Sequence, residues 1–329
     1  MNLKYFYQIM NEKIAFAMLI SFIITGSALI LMVNLYPDVS VISPNHPFFE
    51  QNFDPDLKKI FIFGSSHVGV LNSTLISNNI SENYSDYDFY NLSHSADKPE
   101  ERLVILSEII SLNPAIVFYG ISYIDLGTNL KLHTQDFHFD FNLVLKTFDP
   151  ENKLKLKNIN PKIITLNAIN IELKKIYPTT TVSKPTVFSD EMPFYPQELL
   201  PININRDELT RHAEFIHVST LAVKPSSSNE QVSVLKDIIK KLQKNNVQVV
   251  VFAIPLPHEY TNMLPPETKE NFKEILNEIE FDLDLKVYDF THQYDELPIW
   301  ADSLHVATVP ESIIYTEDVL EMILLEIEK

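Results

Sequence analysis

The segment Lys58-Lys59-Ile60-Phe61-Ile62-Phe63-Gly64-Ser65-Ser66-His67 runs from an apolar, β-favouring stretch to a glycine and then at once to two hydroxyls and a helix-like sequence. A strand-to-helix turn of this kind presents a serine at the mouth of an α/β sheet. Near the other end of the chain stands Asp302-Ser303-Leu304-His305. The two fragments together hold a hydroxyl, an imidazole and a carboxylate. Those are the three side-chain types needed for acyl transfer through a serine nucleophile.

Either fragment alone says little. Most Gly-Ser-Ser triplets are plain turns, and most Asp-x-x-His pairs are a helix cap followed by a surface histidine. Their setting is what counts. Ile60–Phe63 reads as a strand and Val68–Ser77 as a helix; Phe89–Leu92 is a short strand and Glu100–Leu112 a helix. In the latter, Leu103, Ile105, Leu106, Ile109 and Ile110 recur at helical spacing. Ala115–Tyr119 is a strand. Ser228-Asn229-Glu230-Gln231 reads as a capping box that opens a helix with Val234, Leu235, Ile238, Ile239 and Leu242 on one face. Val247–Ile254 is a continuous apolar strand, which predicts burial on both sides. Glu267–Ile279 reads as a helix, Lys286–Phe290 as a strand and Glu311–Glu328 as a last helix. Alternation of this kind predicts an α/β fold with a parallel sheet and helices on both faces.

Ligands of such sheets bind beyond the carboxyl ends of the strands. Four polar clusters fall there: Gly64-Ser65-Ser66-His67, Asn91-Leu92-Ser93-His94-Ser95-Ala96, Tyr119-Gly120-Ile121-Ser122-Tyr123 and Asp302-Ser303-Leu304-His305. Gly64 and Gly120 are two of only 5 glycines, and both follow apolar runs, so these positions are expected to require the absence of a Cβ. Asn stands in for glycine elsewhere, as at Asn245-Asn246. Between about Asp125 and Ser227 the alternation breaks down. This reads as an insertion with a helix at Lys162–Ile176, serving either as a lid or platform over the sheet or as a peripheral elaboration.

The chain has 329 residues, 45% of them hydrophobic, enough for one large α/β domain with an insertion. Its formal charge of -18 repels nucleic acid and excludes it as an expected partner. No cysteine is present, hence no disulfide and no thiolate metal site. His67, His94 and His305 come near one edge, but no carboxylate spacing accompanies them, so no metal is expected. Residues 14–37 carry no charged side chain, and the Ile14–Val33 core is long enough to cross a hydrocarbon layer of about 30 Å as a helix. The segment after it has no small-residue cleavage site, which favours an uncleaved anchor over a signal peptide. Lys4 and Lys13 precede the span while Asp38 and Glu50 follow it, so the N-terminus is expected in the cytoplasm and the body outside. Several Asn-x-Ser/Thr triplets, among them Asn72-Ser73-Thr74 and Asn91-Leu92-Ser93, permit glycosylation there, though chance also supplies them in so Asn- and Ser-rich a chain.

Over residues 57–125 and 228–325 the sequence resembles the SGNH (GDSL-like) hydrolase superfamily, particularly its membrane-anchored O-acyltransferase and esterase members. The resemblance implies a flavodoxin-like parallel sheet. Gly64-Ser65-Ser66 is similar to that family's Gly-Asp-Ser block with Ser in place of Asp, which assigns the nucleophile to Ser66. Asp302 and His305 match its Asp-x-x-His block, with His305 as the base and Asp302 orienting it. The implied oxyanion donors are the backbone of Ser66, the backbone of Ala96 (or Ser93 in a shifted register) and the hydroxyl of Ser122, where the family has an Asn. His67, His94, Gly120 and Trp300 are candidates to line the cleft. His258 follows a strand end, as a loop residue or at the cleft, and Asp125 is expected to be a cap or a surface charge.

The expected organisation is a cytoplasmic N-terminus (1–13), a transmembrane helix (14–36), a linker (37–56) and an SGNH-like domain (57–329) with an insertion at about 126–227. The resemblance implies a single-pass cell-membrane protein with its catalytic domain on the extracytoplasmic side. It would transfer or hydrolyse O-acyl groups, acetyl first among them, of an extracellular or envelope glycan through an acyl-serine intermediate. No cofactor is implied, and a membrane acyl-donor protein is an implied partner. The alternative is an inactive anchored relative that binds glycan or assembles an envelope complex, motivated by the altered Ala96 and Ser122 positions.

Overall fold

The computed structural model describes residues 53–93, 97–128 and 203–329. Apolar runs with little glycine form five strands: β1 (Lys58–Phe63), β2 (Tyr87–Asn91), β3 (Pro114–Ile121), β4 (Gln248–Ala253) and β5 (Val287–Asp289). They pair in the order β2-β1-β3-β4-β5, all parallel. That is the doubly wound order of flavodoxin-like sheets, in which the chain reverses its winding between β1 and β3 and opens a crevice there.

Both faces of the sheet are buried. Ile60 and Ile62 of β1, Ile116 and Phe118 of β3, and Val250 and Phe252 of β4 join one cluster. On the same side pack α2 (Ser73–Asn83), through Ile76 and Ile80, and α10 (Ile313–Ile327), through Val319 and Ile323. The alternate residues Phe61, Phe63, Val117, Tyr119, Val249 and Val251 are buried on the opposite side. There α7 (Glu230–Lys244) lies against β4 with Leu235, Ile238, Ile239 and Leu242 buried, and against α9 (Pro266–Leu283). Parallel strands covered on both faces need apolar residues at nearly every position, as the run through β4 supplies.

Several elements differ from the sequence reading. The segment expected as one helix from Val68 to Ser77 is a single turn, α1 (Ser66–Gly69), followed by α2. The segment Glu100–Leu112 divides at Ile105 into α3 (Pro99–Val104) and α4 (Leu106–Ser111), while Leu103, Ile105, Leu106 and Ile109 stay buried. The cap of α7 is Asn229 rather than Ser228: its side chain accepts from the N–H groups of Gln231 and Val232 at 3.1 and 3.3 Å. Asn113 and Asn246 take positive φ after helices, at 52° and 60°, as the shortage of glycine implied.

Within the expected insertion, Gly127–Thr128 pairs antiparallel with Ala222–Val223, which brings its two ends together. Residues 203–221 contain a helix the sequence reading overlooked, α6 (Arg206–Phe215), which packs on α8 (His258–Met263). Its start is marked by a reciprocal cap, with Glu208 N–H donating to Asn205 Oδ1 and Asn205 N–H to Glu208 Oε2. The helix expected at Lys162–Ile176 and the span at 14–36 lie outside the described residues. Among the described residues no helix is long and apolar enough to cross a membrane.

Candidate active site

The turn after β1 is built on Gly64, whose φ of +149° disfavours a side chain. A Cβ there would stand 2.4 Å from Val68 Cγ2 and 3.0 Å from the Gly120 carbonyl oxygen. A Cβ on Gly120 would stand 2.6 Å from both Val68 Cγ2 and the Phe252 ring. The two glycines let β3 and the turn after β1 approach so closely that Ser66 falls in the first turn of a helix. Ser65 takes extended backbone as its N-cap, and Val68 N–H closes the turn on the Ser65 carbonyl at 2.9 Å.

Ser66 Oγ lies 2.7 Å from His305 Nε2, across 239 residues of chain. His305 Nδ1 lies 3.0 Å from each carboxylate oxygen of Asp302. An ionised carboxylate only accepts, so Nδ1 carries the proton and Nε2 presents its lone pair to the Ser66 hydroxyl. Asp302 Oδ1 also accepts from the N–H groups of Leu304 at 2.7 Å and His305 at 2.9 Å. Burial pushes the Asp302 carboxyl up, but the His305 ring and the two backbone donors outweigh it and hold it down to about 2. The carboxylate is therefore ionised at neutral pH and anchored to its own loop. That loop is closed by a bridge between Trp300 and Val306, by Ala301 N–H to the His305 carbonyl at 2.9 Å, and by Ala307 N–H to the Ile299 carbonyl at 2.7 Å.

His67, expected to line the cleft, is instead 4% exposed and stacks on His305 with centroids 4.9 Å apart and planes 25° from parallel. Its Nδ1 meets Ser65 Oγ at 2.8 Å. Burial first, and then the nearby His305, push its pKa down to about 3, so the ring is neutral. A neutral ring does not repel an imidazolium forming on His305. Gly120 and Trp300 are also buried rather than cleft-lining: Gly120 for the close packing just described, and Trp300 because it anchors the inner side of the His305 loop. His94 lies outside the described residues. His258 opens α8 at the surface, 3.6 Å from Asp295.

The oxyanion donors divide. Ser66 stands at the first position of α1, where a helix leaves its N–H groups without intrahelical acceptors. Ala96 lies outside the described residues, and the Ser93 N–H donates to Asn91 Oδ1 at 3.0 Å. Ser122 corrects the expectation. Its hydroxyl donates to Asp125 Oδ2 at 2.7 Å, as does its N–H, so the one hydroxyl proton is committed to capping α5 (Tyr123–Leu126). Asp125 is a cap but not a surface charge: it is 4% exposed. Burial pushes it up to about 7, with Asp97 adding to the rise against hydrogen bonds from Ser122 and Ser65. Asp97 itself faces Arg102 in a buried ion pair whose guanidinium also donates to the Leu92 carbonyl at 2.9 Å and lies over the Phe63 ring. No group of three or more His, Asp or Glu side chains fit to hold a metal occurs among the described residues.

The fold and site define a doubly wound α/β protein with a Ser-His-Asp constellation at the sheet's switch point. Compared with family models and with curated protein sequences, the chain has no match. Among solved structures it is similar to TesA, with 12% identity and a TM-score of 0.42 over 81% of this chain and 98% of that one. It is also similar to an esterase, EstA, from Pseudoalteromonas sp., with 12% identity and a TM-score of 0.40 over 83% and 100%. A third is an acetylxylan esterase from Geobacillus stearothermophilus, with 11% identity and a TM-score of 0.40 over 81% and 94%. Likeness at this level says nothing of substrate or reaction, which rest on the residues of this chain.

Proposed function

We propose that this protein is a serine-dependent ester hydrolase or O-acyltransferase of the SGNH type. The observation that carries the reading is the unbroken path from Ser66 Oγ to His305 Nε2 at 2.7 Å and from His305 Nδ1 to Asp302 at 3.0 Å. Ser66 Oγ attacks the acyl carbonyl as its proton passes to His305 Nε2, and Asp302 stabilises the imidazolium. In this reading the Ser66 N–H, first in α1, serves as an oxyanion donor. His305 returns the proton to the departing alkoxide, which leaves an acyl group on Ser66. Water or a sugar hydroxyl, deprotonated in turn by His305, resolves that acyl-enzyme and restores the resting state. Water makes the protein an esterase, and a sugar hydroxyl makes it a transferase.

The finer assignment is to O-acyl groups, acetyl first among them, of an extracellular or envelope glycan. The protein would be held at the cell membrane by residues 14–36 with its catalytic domain on the extracytoplasmic side. Support comes from the uncharged 14–37 segment, the flanking charges and the family resemblance of the motifs. A membrane-embedded acyl-donor protein is the partner that a transferase would need. The full-length chain in detergent, assayed with p-nitrophenyl acetate with and without an oligosaccharide acceptor, tests this. Turnover lost in Ser66→Ala supports the serine chemistry, and acetyl appearing on the acceptor supports transfer.

One observation favours a second reading, a glycan-binding protein without activity. The Ser122 hydroxyl is held by Asp125, and loss of one oxyanion donor elsewhere lowers rates by about 10²–10³. Equal rates for wild type and Ser66→Ala would favour that reading over the serine chemistry.

A further inference from the structure

The loop that carries Asp302 and His305 is fastened from outside by residues 203–221. Ile204 N–H donates to the Trp300 carbonyl at 2.9 Å. One turn from the end of α6, His212 Nδ1 lies 2.8 Å from Ser303 Oγ and accepts from the Ser303 N–H at 3.2 Å. Ser303 follows Asp302 directly and is fully buried. A backbone N–H can only donate, so Nδ1 is the unprotonated nitrogen and takes the hydroxyl and the N–H of the same residue. A buried polar group deprived of its partner loses the full desolvation term, so the contact is worth more than a surface hydrogen bond.

The hydrogen bonds within the loop fix Asp302 relative to Leu304 and His305, but they do not fix the loop relative to the sheet that carries Ser66. His212 does so at Ser303, one of the two residues between the acid and the base. We propose that His212 is a positioning residue for the Ser66–His305–Asp302 site, acting through Ser303, and that residues 203–221 belong to the catalytic scaffold. This rests on the serine-dependent reading above. On this proposal the stretch that supplies α6 is the part of the expected insertion that is more than decoration. Geometry matters here because a displacement of about 1 Å between reacting groups lowers rates about 10²-fold.

The test compares His212→Ala and His212→Asn in the full-length protein. The Asn side chain offers an oxygen in place of Nδ1. Three readouts are taken: kcat and KM for p-nitrophenyl acetate, thermal midpoint, and hydrogen–deuterium exchange of the peptide containing Ser303. His212→Ala is expected to lower kcat by about 10–100-fold with KM little changed and with faster exchange at Ser303. His212→Asn is expected to restore much of both, and the thermal midpoint to fall further in His212→Ala, which alone leaves the buried Ser303 without its partner. Unchanged kcat in His212→Ala, or an equal loss in both variants, overturns the positioning role and leaves the serine chemistry standing. Equal turnover by wild type and Ser66→Ala instead overturns the serine chemistry, and the role of His212 with it.

Discussion

Replacing Asp302 by Asn separates the charge of this side chain from its shape. The wild-type carboxylate accepts four contacts: His305 Nδ1 at 3.0 Å on each oxygen, and the N–H groups of Leu304 and His305 on Oδ1. An Asn can keep its oxygen on the two backbone donors, so the loop need not unravel. Its amide nitrogen then faces His305 Nδ1, and two donors cannot share that gap. The ring responds by moving its proton to Nε2, which turns Nδ1 into an acceptor. Nε2–H can no longer take the proton of Ser66. The wrong tautomer at a triad of this type lowers kcat about 10⁴-fold, equivalent to about 5.4 kcal/mol at about 1.36 kcal/mol per decade. Asp302→Ala adds a second injury, because two backbone N–H groups lose their acceptor at about 1–3 kcal/mol of stability each where they are buried. The assay is kcat and KM for p-nitrophenyl acetate alongside the thermal midpoint. The expected pattern is a collapse of kcat in both variants, with the midpoint falling only in Asp302→Ala. An Asp302→Asn protein within threefold of wild type would refute the tautomer argument.

Other changes report on the scaffold. Gly120→Ala forces a methyl against Phe252 and Val68, both within 2.6 Å; denaturant titration is expected to show a loss of about 1–3 kcal/mol, and no loss would mean the packing of β3 on the turn is looser than described. Asp125 carries a folded-state pKa near 7 against an ordinary 3.8, so the folded protein binds its proton more tightly than the unfolded chain does. Its contribution therefore destabilises the fold as pH rises from about 4 to about 7 and is flat above that. Asp125→Asn removes the titration and is expected to flatten that slope and raise the urea midpoint at alkaline pH relative to wild type; an unaltered slope would contradict the assignment.

The strand ends were legible from local signals, whereas Ser66, Asp302 and His305 were legible only from their order at strand ends and the resemblance of their motifs, since each fragment alone is a common turn or cap. An apolar run ending in a glycine marks a strand leading into a tight turn, and the length and β-branched content of the run through β4 point to a strand buried on both faces. What the sequence hid was burial of polar groups. His67 follows two serines and reads as a rim residue, but the single turn of α1 carries it under His305, and only the tertiary packing shows that. Ser122 read as a donor, and Asp125 as a cap or a surface charge; the cap is there, but its burial was hidden because such a cap looks the same in sequence whether buried or not. α6 was overlooked for a different reason: Asn205 and Glu208 spell a capping box, but the helix after it is mostly polar and gives a weak apolar stripe.

The central claim is that Ser66 is an activated nucleophile. A fluorophosphonate probe reacts with such a serine, and peptide mass spectrometry reads where it lands. The full-length protein should carry one label, on Ser66, and His305→Ala should lose it while remaining folded. A folded wild-type protein that takes no label, or takes it on another serine, would contradict the account.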